Sequence, residues 1–205
     1  SEMCIRDSLL GEYNLYNCLA AIAVAKILKI PEEKIREALL NFRPVPGRLE
    51  EINEGQNFKV IIDFAHTPNA FKQVLPTVKK ITQNQLIHVF GCTGDRDRSK
   101  RPIMGEISAQ FSDKIILTHE DTYGEDPERI ISEIEVGVKK RGKILGKNYW
   151  KISERKRAIE KAIEMAKKGD TVLITGVGHQ KSLNIGGREV PWSDQKIVKE
   201  ILLQL

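Results

Sequence analysis

Residues 86–111 read LIHVFGCTGDRDRSKRPIMGEISAQF. The apolar run QLIHVF (85–90) has the length of a buried strand and is too short for a helix. RPIMGEISAQFS (101–112) returns to apolar residues at helical spacing, so a strand leads into a helix through GCTGDRDRSKRP (91–102). That connector opens on glycine, holds a second glycine, and six of its twelve residues are charged. A turn needs the glycines but not alternating charge at such density. The loop is read as the seat of a ligand bearing carboxylate, phosphate or amino groups.

The same unit recurs on either side. FKVIIDF (58–64) precedes the helix PNAFKQVLPTVKKI (68–81), and DKIILT (113–118) precedes PERIISEIEVGV (127–138). A helix from Glu154 that ends at Gly169 leads into TVLITGV (171–177). A short GGREV segment (186–190) and a last helix, SDQKIVKEILLQ (193–204), follow. Strands alternating with amphipathic helices predict an α/β fold with a doubly wound, mostly parallel sheet. Such sheets bind ligands at the carboxyl ends of their strands. Four polar loops should therefore share one edge: DFAHTP (63–68), GCTGDRDRSKRP (91–102), THEDTYGEDP (118–127) and TGVGHQK (175–181).

Upstream the pattern differs. Residues 12–29, EYNLYNCLAAIAVAKILK, are alanine-rich and apolar at helical spacing, which predicts a helix packed on most of its surface. IPEEKIREALLNF (30–42) predicts a second helix, with Pro31 near its start and two glutamates in the first turn, where the helix dipole favours them. RPVPGR (43–48), with Pro44, Pro46 and Gly47, reads as a hinge between domains 1–46 and 47–205.

The 205 residues are 40% hydrophobic and 30% charged, enough for one good core or one core plus part of another. The net charge of +5 is spread among acidic neighbours and aromatics are only 6%, so a solvated surface is expected and no nucleic-acid partner. Cys4, Cys18 and Cys92 form no paired motif, which fits a reducing cytoplasm without zinc or disulfides. No membrane span or secretory leader is expected, and SEMCIRDS (1–8) is atypical as a domain start.

Read from the residues alone, the individual sites stay open. Asp63 suits a ribose hydroxyl or a magnesium-bound water, or else a helix cap that Thr67 supplies equally well. His66 suits a base or phosphate, or a structural role. Arg96, Arg98 and Arg101 can grip carboxylates in bidentate fashion, or form surface ion pairs with Asp95 and Asp97. Asn14 and Asn17, three apart, fit a capped helix start. No GxxxxGK[ST] phosphate loop occurs in the sequence, and TGVGHQ lacks the third glycine of a dinucleotide fingerprint.

Taken in order, GEYNLYNCLAAIAVA, VPGRLE, IIDFAHTPNAF, VFGCTGDRDRSKRPIMGEI, EDP and GVGHQ resemble the Mur ligases, and most of all the branch that adds the third amino acid of the peptidoglycan stem. The resemblance runs from about Gly11 onward. It implies the two terminal helices of a central ATP-binding domain (1–46), then a Rossmann-like C-terminal domain (47–205), of a monomeric cytoplasmic enzyme of cell-wall synthesis. It implies ATP and Mg2+, with the magnesium ligands mostly elsewhere in the central domain, and UDP-N-acetylmuramoyl-peptide and a free amino acid as substrates. The reaction would pass through an acyl phosphate. By the same resemblance Asn14 and Asn17 lie near adenine, Arg48 reaches the ATP phosphates, and Asp63 and His66 approach the nucleotide. Arg96 holds the amino acid's α-carboxylate, with Asp121, Tyr123, Gly178 and Gln180 nearby. Members that take meso-diaminopimelate carry Asp-Asn-Pro-Arg where this chain has Glu120-Asp121-Thr122-Tyr123, and GKGHE where it has GVGHQ. Lysine or ornithine is the expected substrate, a small neutral amino acid the second choice. A non-catalytic binding module and a folate-type glutamate ligase are the alternatives.

Overall fold

The computed structural model describes residues 11–43 and 45–205. The atypical segment 1–8 and the hinge residue Pro44 lie outside them. Backbone contacts divide the chain between Val45 and Pro46 into two units. The first holds helices α1 (Glu12–Ile27) and α2 (Glu32–Leu40). Leu15, Tyr16, Leu19, Val24 and Ile27 are exposed on α1. The close packing expected for this helix is therefore not supplied by the described residues: its apolar positions surround the helix, and α2 covers only a small part of them. Gly11 occupies the cap position of α1 with no side-chain cap bond. Asn14 and Asn17 are thus not a cap; Asn17 Nδ2 donates to Asn14 Oδ1 at 3.1 Å one turn away.

The second unit runs β1 (Glu50–Ile52), β2 (Lys59–Asp63), α3 (Pro68–Ile81), β3 (Leu86–Phe90), α4 (Lys100–Phe111), β4 (Lys114–Leu117), α5 (Pro127–Lys140), β5 (Tyr149–Lys151), α6 (Arg155–Met165), β6 (Thr171–Thr175), β7 (Ser182–Ile185), β8 (Arg188–Pro191) and α7 (Asp194–Leu202). One six-stranded sheet has the order β1-β2-β6-β3-β4-β5, and β7 and β8 form a separate hairpin. Strands β2 to β6 are parallel, and only β1 is antiparallel. Asp63 pairs with Thr175, Val89 with Ile174, and Leu117 with both Phe90 and Lys151, so the five parallel strands end nearly level. All the loops expected to bind ligand leave from that edge.

Period-2 alternation sorts the strand residues between two helical layers. Val60, Ile62, Ile87, Val89, Val172 and Ile174 pack with Ala158, Ile159, Ala162 and Ile163 of α6 and Val198 and Leu202 of α7. The other face meets α3, α4 and α5. There the buried His88 stacks on Phe90, meets Phe71 edge-on, and bonds Ser108 at 2.8 Å and Thr175 at 3.0 Å. Burial holds this imidazole neutral, its pKa pushed down from 6.5 to about 3. The unfolded chain therefore binds the extra proton between those values. The resulting stability is whole above pH 6.5 and is lost as pH falls toward 3. Urea titrations should show the native protein losing about 1 kcal/mol more than His88→Gln between pH 6 and pH 5. Parallel losses would mean that His88 is not held neutral.

Three short strands, β1, β5 and β7, have no counterpart in the periodicity, because three or four residues are too few to show a period. The helix read as ending at Gly169 stops at Met165 instead. The Asp170 carboxylate takes the Lys167 amide at 2.8 Å and the Gln85 amide at 3.0 Å, bending 166–170 into a turn that feeds β6.

Candidate functional site

The loop after β3 is clamped to the loop after β4. Gly94 donates its amide to the Asp121 carbonyl at 2.7 Å, and a Cβ there would lie 2.0 Å from the Thr122 carbonyl oxygen. Only glycine permits that approach. Asp95 takes the Gly124 amide at 3.0 Å while its own amide donates to Glu125 at 3.0 Å. Asp97 accepts from both the amide and the hydroxyl of Ser99, at 2.9 and 2.6 Å.

The arginines part company. The side chain of Arg101 is wholly buried; it bonds Glu125, Glu133 and the Thr93 carbonyl. Its hydrogen bonds push the Glu125 carboxyl down to about 2. Arg98 also binds Glu133 and lies 3.7 Å from Glu125. The ion pairs expected with Asp95 and Asp97 are absent among the described residues, because those carboxylates are already held by backbone amides and a hydroxyl. Arg96 is exposed and, among the described residues, has no carboxylate within ion-pair distance. Its guanidinium carbon lies 5.6 Å from the centre of the Tyr123 ring.

Asp121 lies two residues before Tyr123 in the same loop. It accepts the Asn184 amide at 2.7 Å and Gln180 Nε2 at 3.3 Å. The backbone amides of Thr122 and Tyr123 in turn donate to the Asn184 carbonyl, so the β7–β8 hairpin is stitched to this loop. Contacts thus join Asp121 to Gln180 and Tyr123 to Arg96, and the Gly94–Asp121 backbone bond ties together the two loops that carry the pairs.

A second group forms around Phe64. The Arg48 guanidinium carbon stands 4.7 Å over its ring. The His66 and His179 rings lie 4.7 and 5.0 Å away, and Gly178 packs against the same residue. His66 Nδ1 faces the Phe64 carbonyl at 2.8 Å, and a carbonyl only accepts, so Nδ1 carries the proton and Nε2 is left for another partner. Lys100 Nζ donates to the His66 carbonyl at 2.9 Å. Asp63 is buried beneath, taking the Leu49 amide at 2.8 Å and the Ala65 amide at 2.7 Å. Burial is the largest influence on its pKa and pushes it up, against those two bonds and the Arg48 charge. Thr67, not Asp63, caps α3, accepting the Ala70 amide. Asp63 instead anchors the left-handed Leu49, the residue that follows Arg48.

Between the groups lies Glu120, buried, with weak bonds of 3.3 Å from the Gly91 amide and 3.4 Å from Thr93. Burial pushes its carboxyl up, with Arg155, Lys100 and His66 opposing. A Cβ at Gly176 would lie 1.9 Å from Glu120 Oε1, which explains the glycine that opens the loop after β6. Deeper still, Arg155 and Asp194 form a fully buried bidentate pair. Arg155 also donates to the carbonyls of Thr175 (3.0 Å) and His119 (3.4 Å), clipping the ends of β6 and β4.

Asn14 and Asn17 belong to the other unit and are described there alone. Phe64, Lys100, His179 and the Arg155–Asp194 pair were not among the site residues expected from the sequence. His179 stood within a loop already singled out, whereas Phe64 reads as one more apolar strand residue. No group of three or more His, Cys, Asp or Glu is placed to hold a metal ion among the described residues. No helix among them is long and apolar enough to cross a membrane.

Residues 47–178 match the family described as "Mur ligase, glutamate ligase domain". A UDP-N-acetylmuramyl-tripeptide synthetase of Borreliella burgdorferi is 45% identical over 97% of this chain and 39% of its own length. A UDP-N-acetylmuramoyl-L-alanyl-D-glutamate–2,6-diaminopimelate ligase of Syntrophomonas wolfei is 41% identical over 98% of this chain and 41% of its own. A solved structure of a 2,6-diaminopimelate ligase of that type superposes with a TM-score of 0.73 at 34% identity, covering 96% of this chain and 39% of that one. The chain thus spans about two fifths of the length of these relatives. The family match takes in β2 to β6 and every loop of the charged edge up to Gly178, and on that ground this chain belongs to the Mur ligase family.

Proposed function

We propose that this chain is the amino-acid-binding and nucleotide-clamping part of an ATP-dependent ligase of peptidoglycan-precursor synthesis in the cytoplasm. The ligase would extend UDP-N-acetylmuramoyl-dipeptide by one amino acid. On this reading residues 47–205 are the C-terminal domain and 1–46 the end of the central ATP-binding domain. The observation that carries it is Arg96, a guanidinium without a carboxylate partner among the described residues, set over the Tyr123 ring in a loop bonded to the one that holds Asp121, at the same sheet edge from which the His66 and His179 loops leave.

In the reaction the dipeptide carboxylate takes the γ-phosphoryl group of ATP and releases ADP. The amine of the incoming amino acid then attacks the acyl carbon, and phosphate leaves as the amide forms. Of the residues around Phe64, Arg48 is the fixed cation that brings positive charge to the transferred phosphoryl group, and His66 stands at the same ring. Asp63 acts through Leu49, holding the Arg48 turn. Asn14 and Asn17, in the first unit, are assigned to adenine by the family resemblance alone. Arg96 takes the α-carboxylate in bidentate fashion, and fixing that end orients the amine for attack. Asp63 has both oxygens on backbone amides and no metal-binding cluster stands beside it among the described residues, so no magnesium step is assigned to these residues.

Two measurements test this. The 205-residue chain, given ATP, UDP-N-acetylmuramoyl-dipeptide and a mixture of amino acids, should form no amide above a protein-free control, since no phosphate loop is present in it. Amide formation by the chain alone would overturn the division of labour. In the complete ligase, Arg96→Ala should raise the KM for the amino acid by about 30-fold or more, with little change in KM for ATP. An unchanged amino-acid KM would remove Arg96 from the substrate.

A further inference from the structure

Of the charged residues in the loop 95–98, all but one are held by bonds within this loop or to its neighbours. Asp95 binds the Gly124 amide, Asp97 binds Ser99, and Arg98 binds Glu133. Arg96 rests on a ring instead. The backbone on both sides of that contact is unusual. Asp95 (φ 49°) and Tyr123 (φ 47°) are both left-handed, a costly conformation for an aromatic residue. They are fastened across the seam by the Gly94–Asp121, Asp95–Gly124 and Asp95–Glu125 bonds. The clamped seam sets Tyr123 next to Arg96.

A cation over a ring face differs from an ion pair in one useful respect: it leaves the in-plane N–H donors of the guanidinium available. An exposed arginine otherwise spreads over many rotamers, and ordering it on binding costs affinity.

We propose that Tyr123 is a positioning residue whose ring holds the Arg96 guanidinium in the orientation that accepts the α-carboxylate. It thereby sets the affinity for every amino acid offered and does not choose among their side chains. This rests on the reading of Arg96 as the carboxylate clamp. The phenolic hydroxyl has no part in it, so phenylalanine should serve nearly as well.

The test uses the 205-residue chain and the complete ligase with the variants Tyr123→Phe, Tyr123→Leu and Arg96→Ala. In the nitrogen-15-labelled chain, the Arg96 Nε–H signal should report an ordered side chain in the native protein and in Tyr123→Phe, and a mobile one in Tyr123→Leu. In the ligase, Tyr123→Leu should raise KM about three- to tenfold for lysine, ornithine and alanine alike, leave kcat nearly unchanged, and be largely rescued by Tyr123→Phe. Equal Arg96 mobility in all three proteins overturns the proposal, as does a Tyr123→Leu effect that differs strongly between lysine and alanine. If Arg96→Ala leaves every amino-acid KM unchanged while the native side chain is ordered, it is the clamp reading that fails, and this proposal falls with it.

Discussion

Asp194→Ala should lower the thermal midpoint by about 6–20 °C. The Arg155 and Asp194 side chains are fully buried and bonded through two nitrogens and two oxygens. Removing one partner strands a charge without water, which typically costs about 3–5 kcal/mol. For a folding unit of this size each kcal/mol moves the midpoint by about 2–4 °C. The double replacement Arg155→Met with Asp194→Leu should be far milder, because it removes the desolvated charges together. Calorimetry on the three proteins checks both statements. A shift under about 2 °C for Asp194→Ala would mean that water reaches the pair. The damage should also be directional: Arg155 holds the Thr175 and His119 carbonyls, so hydrogen exchange should rise first in 118–126 and 176–181.

The complete ligase should use lysine or ornithine in preference to meso-diaminopimelate by about 30-fold to several thousandfold in kcat/KM. Diaminopimelate ends in a second carboxylate, which needs a cation or several donors once desolvated. On the proposed reading the side chain that meets the far end of the substrate is Asp121, whose carboxylate is fixed by the Asn184 amide and Gln180. It repels a distal carboxylate and attracts a distal ammonium. Asp121→Asn should narrow the ratio, by removing the repulsion. Competition assays with both amino acids in one mixture measure it. A native preference for diaminopimelate would show that the 120–123 loop does not meet the far end of the substrate.

The architecture was legible because its signals are local. Runs such as VIID and LIHVF are apolar over one strand length, and the helices after them repeat at 3.6 residues, so α3 begins and ends where the periodicity puts it. The charged edge followed from that pattern, since parallel strands release all their carboxyl-end loops on one side. The composition of the 91–102 loop marked it as a candidate ligand site. It could not say which arginine is free. Arg98 and Arg101 are satisfied by Glu125 and Glu133, more than twenty residues away, and whether those glutamates arrive depends on how α5 packs against α4. Strands β1 and β5 escaped for a related reason. A three-residue strand has no period of its own and exists because a neighbour offers a ladder of hydrogen bonds. Residue types and spacings thus determined the layers and the functional edge. Tertiary contacts alone decided which charges on that edge are paired and which, such as Arg96, have no carboxylate partner among the described residues, because ion pairing and aromatic stacking depend on distances in space that residue order does not carry.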